Sequence, residues 1–323
     1  MKINYTKNPY ILNSFLKYLI YVKNYSINTI EAYYLDLLCF FGFVKKYKNI
    51  EVEIKYFNIF ILSKITQADI LAFLVYLNQY FNNNPYTRQR KLSSIRTFYD
   101  WLFNHYSSCC NKINPTNDIP NIEKTIRLPK YLNLKQAKKI SNIFTKENCN
   151  YPERNNTIIQ LILNTGMRAS ELINLNINNI NFKDKYIKVI GKGKKERIIF
   201  ISETTKQLLL EYLKVRNHHN SLVDVSDPLF LNMQNKRLGI DGLEYICKKA
   251  YKLAGLDNFG YTVHTLRHTA AVLLYQYENT DILILKEFMG HATLSSTQIY
   301  THVFNERIKS SIENNPLNIS KIA

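Results

Sequence analysis

Residues 281–303 read Asp281-Ile-Leu-Ile-Leu-Lys-Glu-Phe-Met-Gly-His291-Ala-Thr-Leu-Ser-Ser-Thr-Gln-Ile-Tyr300-Thr-His-Val303, and the assignment of the fold turns on this stretch. A helix is predicted over 281–289, ending before Gly290. A second helix is predicted over 295–304. His291 falls in the joint between the two, and Tyr300 lies on the second. Alone, neither residue stands out: the chain holds 24 Tyr, and Ile299, Val303 and Phe304 allow an apolar stripe beside Tyr300 that suits ordinary packing.

Working upstream, His264-Thr-Leu-Arg-His268 sets His264, Arg267 and His268 on one face of a predicted helix over 264–277. The spacing of the two histidines also suits a metal pair, but an arginine between them disfavours a cation, and His268 is read as a packing residue. Thr165-Gly-Met-Arg168-Ala-Ser-Glu171 follows a helix predicted over 155–164 that Gly166 would stop. On a helix surface Arg168 and Glu171 would be an ordinary ion pair. Buried, Glu171 would hold the guanidinium rigid while its remaining donors faced a phosphate. Strands are predicted at 185–190 and 196–201, joined by a turn, Gly191-Lys192-Gly-Lys-Lys195, whose glycines let it approach a ligand closely. Further helices are predicted over 131–144, 203–216 and 240–254.

The charge balance points to a polyanionic partner. Lys and Arg number 43 against 25 Asp and Glu, a formal net charge of +18, which favours nucleic acid or an anionic membrane surface. No run approaches the ~20 apolar residues of a membrane span, the richest, Ala32 to Val44, being interrupted by Asp36. No long apolar run precedes Lys17, so a secretory signal is not expected. The five cysteines, at 39, 109, 110, 149 and 247, form no CxxC ligand pair. A cytoplasmic protein without a metal or cofactor is expected.

Residues 10–106 read as helices. Ser26 caps one that carries Ile30, Tyr33, Tyr34, Leu37, Leu38 and Phe41, and Thr66 with Asp69 forms a capping box at the start of another. Asn82-Asn-Asn-Pro85 reads as a break. The helix predicted from Thr87 carries Arg88, Arg90, Lys91 and Arg96 beside an apolar side of Leu92, Ile95, Tyr99 and Leu102, which suits a helix packed on a core and facing phosphates; a solvated face is the plain alternative. Pro115, Pro120 and Pro129 mark residues 113–130 as a linker. The expected division is a helical DNA-binding domain over 1–112, that linker, and a second domain over 131–323.

In order, Arg168, Lys192, His264-x-x-Arg267, Leu285-Lys-Glu-Phe-Met-Gly-His291 and Ser295-Ser-Thr-Gln-Ile-Tyr300-Thr-His-Val303 resemble the tyrosine recombinase (phage-integrase-like) family, and within it the Xer group. The likeness spans nearly the whole chain and is strongest from Asn164 to Val303. Met289 stands where Leu is usual, and 275–284 is slightly longer than typical; neither touches a chemical residue. The resemblance implies a mainly α fold: an N-terminal SAM-like helical domain and a mostly helical catalytic domain with a small antiparallel sheet. It implies that Arg168 and Arg267 clamp the scissile phosphate, His264 assists proton transfer, Lys192 protonates the departing 5′ oxygen, His291 hydrogen-bonds the phosphate and Glu171 supports Arg168. Tyr300 is the implied nucleophile, giving a 3′-phosphotyrosyl link. It further implies four protomers on two double-stranded DNA sites, a Holliday-junction intermediate, exchange of the tail 305–323 between protomers, and room for a partner recombinase or a DNA translocase. No further domain is seen before the helical one, which favours a simple Xer-like enzyme. A phenol is a weak nucleophile at neutral pH, and a phosphodiester repels an attacking oxygen, so paired arginines and imidazole donors are the chemistry that such a reaction needs. A type IB topoisomerase shares these residue types, and a non-catalytic DNA-binding protein could share the fold; the context of His291 and Tyr300 disfavours the first and the complete residue set the second.

Overall fold

The polar residues at the predicted helix starts do cap them. In this computed structural model, which describes residues 3–106, 113–123, 129–191, 196–218, 224, 226–277 and 281–290, twelve α-helices and three strands are seen among the described residues. The chain divides into two units, Met1–Ile126 and Arg127–Ala323. The first holds α1 (Tyr10–Tyr21), α2 (Ile27–Tyr47), α3 (Ile59–Leu62), α4 (Gln67–Phe81) and α5 (Pro85–His105). Ser26 accepts from the Thr29 N–H at the start of α2. Thr66 and Asp69 form the complete capping box of α4. Helix α5 begins two residues before the predicted Thr87. Asn84 caps it, and Pro85, read from sequence as part of a break, takes the first helical position, where its missing N–H is no loss.

Aromatic rings build the core of this unit. Phe98 on α5 meets Phe15 on α1 edge-on at 5.2 Å and Phe41 on α2 at 5.6 Å, a geometry in which ring edges face ring faces. Trp101, Tyr99 and Leu102 extend the same face of α5 into that core. Helix α2, at 21 residues, is long and apolar enough by composition to cross a bilayer, which the apolar run interrupted by Asp36 had not suggested. Its packing is that of a core helix: Leu37, Phe40, Phe41 and Val44 are fully buried. Midway along it the carboxylate of Asp36, 1% exposed, accepts from Arg90, from Lys91 at 3.1 Å and from Ser94 at 2.8 Å, all on α5. A buried charge persists only where it is paired and hydrogen-bonded, and this one fixes the register of α2 against α5.

The basic helix face is therefore partly occupied. Lys91 and Arg90 both hold Asp36, although the Arg90 side chain stays half exposed. Arg96 donates to the Asn121 side chain at 2.6 Å and to the Ile119 carbonyl. Arg88 is half-buried, its Nε without a hydrogen-bond partner. Within the expected linker, residues 113–123 lie along α5: Ile119 enters the core, and Gln89 exchanges hydrogen bonds with the Asn121 side chain and the Ile122 N–H.

The second unit is built round α7 (Pro152–Thr165), which packs against α6 (Leu134–Ser141), α9 (Glu203–His218) and α11 (Val263–Tyr277). Ile158, Leu161 and Ile162 of α7, Leu209 of α9 and Leu266 of α11 are fully buried in one core. A short helix, α8 (Ala169–Ile173), follows α7. Strands β1 (Ile180–Asn181), β2 (Tyr186–Ile190) and β3 (Glu196–Phe200) form an antiparallel sheet in that order. The register Ile190↔Glu196 brackets residues 191–195. The two longer strands were predicted; β1, with two residues, and α8, with five, are too short to show a period. Helices α10 (Ile240–Leu253) and α12 (Ile282–Met289) complete the described elements. Met289 and Leu285 of α12 pack on Val272 and Tyr275 of α11. The helix predicted at 295–304 lies outside the described residues.

Replacing Asp36 by Ala should destabilise the first unit by about 3 kcal/mol, the order expected when one partner of a buried ion pair is removed. Trp101 is the single tryptophan and is buried in this core, so urea unfolding followed by its fluorescence reports on this unit. An unchanged midpoint would show that the Asp36 network does not hold α2 to α5.

Candidate active site

Gly166 ends α7 in the left-handed conformation, φ +59°. A side chain there would meet Phe288 Cε1 at 2.8 Å, so glycine is required both by the turn and by the approach of α12. Arg168 follows in extended conformation at the N-cap of α8. Its N–H donates to Glu171 Oε2 at 2.7 Å, the reciprocal half of a capping box, and its Nη1 donates to Glu171 Oε1 at 2.8 Å. The sequence left open whether this pair lay on a helix surface; its carboxylate is 1% exposed.

Glu171 holds a second arginine. Arg197 on β3 donates from Nη2 to Glu171 Oε2 at 2.9 Å. Burial pushes the Glu171 carboxyl up, but the hydrogen bond and charge of Arg197, with the N–H and guanidinium of Arg168, outweigh it and hold the group below its ordinary 4.5. Arg197 was not singled out from sequence. Its signal lies in the alternation of β3: residues 196, 198 and 200 are exposed, whereas 197 shares the covered face with buried Ile199. A charged residue on the core side of a strand calls for a buried partner.

The arginines converge on the C-terminus of α12, whose last carbonyls have no partner within the helix. Arg197 Nη1 donates to the Phe288 carbonyl at 3.0 Å, Arg267 to the Met289 carbonyl, and Arg168 Nη2 to the Gly290 carbonyl at 2.6 Å. Arg267, 5% exposed, also donates to the Gly166 carbonyl. Gly290 itself has φ +58°, and a side chain on it would lie 2.8 Å from Arg197 Nε. The three cations also lie at the negative end of the helix dipole.

His264 and His268 flank Arg267 on α11. His264 is exposed on the first turn, whereas His268 is half-buried. Burial, then the charges of His264 and Arg267, push the His268 imidazole down to about 4, so it is neutral at physiological pH. The structure thus brings Arg168, Glu171 and Arg267 together, with His264 one turn of α11 from Arg267. Lys192, His291, Tyr300 and the tail 305–323 lie outside the described residues. Lys192 falls in the segment bracketed by β2 and β3, and His291 directly follows Gly290. Among the described residues no group of three or more His, Cys, Asp or Glu could hold a metal.

The sequence profile of the Phage integrase family matches residues 130–307, and that of the phage integrase N-terminal SAM-like domain matches residues 12–105. The tyrosine recombinase XerC of Caldanaerobacter subterraneus is 38% identical over 319 residues, covering 96% of this chain and 88% of that protein. The tyrosine recombinase XerD of Oceanobacillus iheyensis is 30% identical over 303 residues, 93% of this chain and 96% of that one. Among solved structures, the XerH site-specific recombinase bound to palindromic difH substrate in a post-cleavage complex superposes with a TM-score of 0.72. That match covers 94% of this chain and 84% of that one at 22% identity, a likeness of fold.

Changing Glu171 to Gln should cost about 3 kcal/mol at neutral pH, because two guanidinium groups lose their buried counter-charge. The folded-state pKa of Glu171 is depressed, so its contribution is fully present above its ordinary 4.5 and is lost as pH falls through the depressed value. Urea unfolding of the full chain, read by circular dichroism, should therefore show a gap between wild type and Glu171→Gln that narrows in acid. A gap constant down to the lowest pH would mean that the carboxylate charge is not its source.

Proposed function

The chain belongs to the phage integrase family, and from that premise we propose that it is a Xer-like tyrosine recombinase in which Arg168 and Arg267 hold the scissile phosphate and Tyr300 attacks it. The observation that carries this reading is that both arginines are anchored on consecutive carbonyls, Met289 and Gly290, that lead directly into His291. Guanidinium groups fixed by Glu171 and by backbone before DNA arrives need no reorganisation as negative charge develops on the phosphate. Arg168 is 28% exposed on its side chain and spends only part of its guanidinium on Glu171 and Gly290, which leaves donors for the non-bridging oxygens.

The reaction balances without an outside reagent. The Tyr300 oxygen bonds to phosphorus as its proton leaves, and the bond from phosphorus to the 5′ oxygen breaks. Lys192 gives that oxygen its proton, so a 3′-phosphotyrosine and a 5′ hydroxyl result. The 5′ hydroxyl of the other duplex then attacks the phosphotyrosine and restores both a phosphodiester and the free tyrosine. Energy is conserved in the covalent link. His264 and His291 donate to the phosphate, while His268, neutral and half-buried, supports the α11 turn that carries His264 and Arg267.

The substrate is duplex DNA with a specific site. The relatives named XerC and XerD, and the likeness to a XerH–difH complex, support a substrate of that kind. Four protomers on two sites, a Holliday junction, exchange of the tail 305–323, action in chromosome-dimer resolution or in integration and excision of a mobile element, and a cytoplasmic setting follow from the same reading. The basic helix α5 contributes to DNA binding mainly through Arg88 and the exposed side of Arg90.

Tyr300→Phe should bind its DNA site as wild type does but form no covalent adduct on a nicked suicide substrate. An adduct on the variant, or one mapped to a different tyrosine, removes the central assignment. Lys192→Ala should cleave ordinary DNA at least ~100-fold more slowly, yet recover on a substrate with sulfur as the 5′ bridging atom, which leaves without a proton. Equal losses on the two substrates would make Lys192 a DNA contact and not the acid. Relaxation of supercoiled DNA lacking any such site would instead favour a topoisomerase.

A further inference from the structure

We infer that Arg197 is a positioning residue for the reaction: through Glu171 and the end of α12 it sets the place of Arg168, and it does so without touching DNA. This rests on the reading of Arg168 as part of the phosphate clamp.

Arg197 joins three segments that are distant in sequence. From β3 it reaches Glu171 on α8 at 2.9 Å and the Phe288 carbonyl on α12 at 3.0 Å. Its guanidinium also lies against Gly290: a side chain built on that glycine would stand 2.8 Å from Nε and 2.9 Å from Cζ. Glu171 and Gly290 are the two groups that hold the Arg168 guanidinium. Arg197 therefore touches both supports of Arg168, one by an ion pair and one by packing. Removing it would take away the Glu171 contact that does not come from Arg168 itself and leave space beside Gly290, so both supports of Arg168 would be loosened.

Stability alone does not account for an arginine at this position. Its side chain is 18% exposed, and its Nε is buried with no hydrogen-bond partner. An unpaired buried donor costs free energy, and an apolar residue on the covered face of β3, where Ile199 sits, would avoid that cost. What an apolar residue cannot do is hold a carboxylate and a helix-end carbonyl at once. The planar fork of arginine can, with a separate nitrogen for each, whereas lysine offers a single point charge on a flexible stem and fixes neither direction.

The test compares two scissile linkages in the full-length protein. A methylphosphonate replaces one charged non-bridging oxygen by methyl, so the linkage is neutral and makes little demand on a cationic clamp. Arg197→Gln should cleave an ordinary phosphodiester suicide substrate about 100-fold more slowly, the scale of a misplaced catalytic group. Single-site DNA binding should stay within about twofold, and the loss on the methylphosphonate should be about fivefold or less. Retained cleavage of the neutral substrate also shows that the variant is folded. Arg197→Lys should fall between wild type and Arg197→Gln on the phosphodiester. Equal loss of Arg197→Gln on both substrates, or no loss on either, overturns the proposal. Arg168→Ala is the reference. If it shows no preference for the neutral substrate, the clamp reading fails and this inference with it; if it does while Arg197→Gln loses equally on both, only the positioning role of Arg197 is refuted.

Discussion

The end of α12 is held by arginine side chains, and the catalytic unit is arranged round that fact. Arg197, Arg267 and Arg168 donate to the carbonyls of Phe288, Met289 and Gly290 in turn. Each comes from a different element, β3, α11 and the start of α8. A helix terminus normally meets water or a glycine cap with its last carbonyls. Here those carbonyls serve as the shared acceptor for cations that must stay close together despite their repulsion. Glu171 supplies the compensating negative charge for two of them. The two glycines are consequences of this closeness: a side chain at Gly166 would strike Phe288, and one at Gly290 would strike Arg197.

Elements set by near neighbours along the chain were legible in the sequence. Ser26, the Thr66–Asp69 box and Gly166 did their predicted jobs because a cap is a contact within a few residues. The two longer strands declared themselves by alternation, and the mainly α fold with its small sheet agrees with the family resemblance. The pairing of Glu171 with Arg168 was legible as one of two alternatives; its burial was not, since burial depends on α12 and β3 closing over it. Arg197 escaped notice because its partners lie 26 and 91 residues away. Asp36 was noticed only as an interruption of an apolar run, although it organises α2 and α5, because its partners lie 54 to 58 residues off. A period of 2 or 3.6 residues carries no information on such pairs.

The same distinction bears on the charge of +18. Composition counts cations without asking what they hold. Lys91 lies on buried Asp36, Arg96 on Ile119 and Asn121, Arg237 on the carbonyls of Ile173 and Leu175, and Arg154 on that of Leu231. These groups staple loops and helix ends within the protein; their charge remains, but the donors they use there are not offered to a phosphate. The long-range field follows the total charge, whereas direct phosphate contacts, and the counterions they release, depend on the smaller set of cations whose donors are not already engaged.

Among the candidate catalytic groups that the structure describes, those fixed most firmly are those whose charge does not change. Arginine stays protonated at any pH the protein meets, so its anchoring to Glu171 and to backbone persists whether or not DNA is bound. A histidine in the same place would trade that constancy for a titration near neutrality. His268 illustrates the outcome: burial, then the charges of His264 and Arg267, push it down to about 4, and it stays uncharged beside Arg267. His264, one turn earlier on α11, is exposed. One helix thus presents a permanent cation, a neutral half-buried imidazole and an exposed one within five residues; the arginine owes its charge to the guanidinium itself, and the two histidines differ in how deeply each is covered.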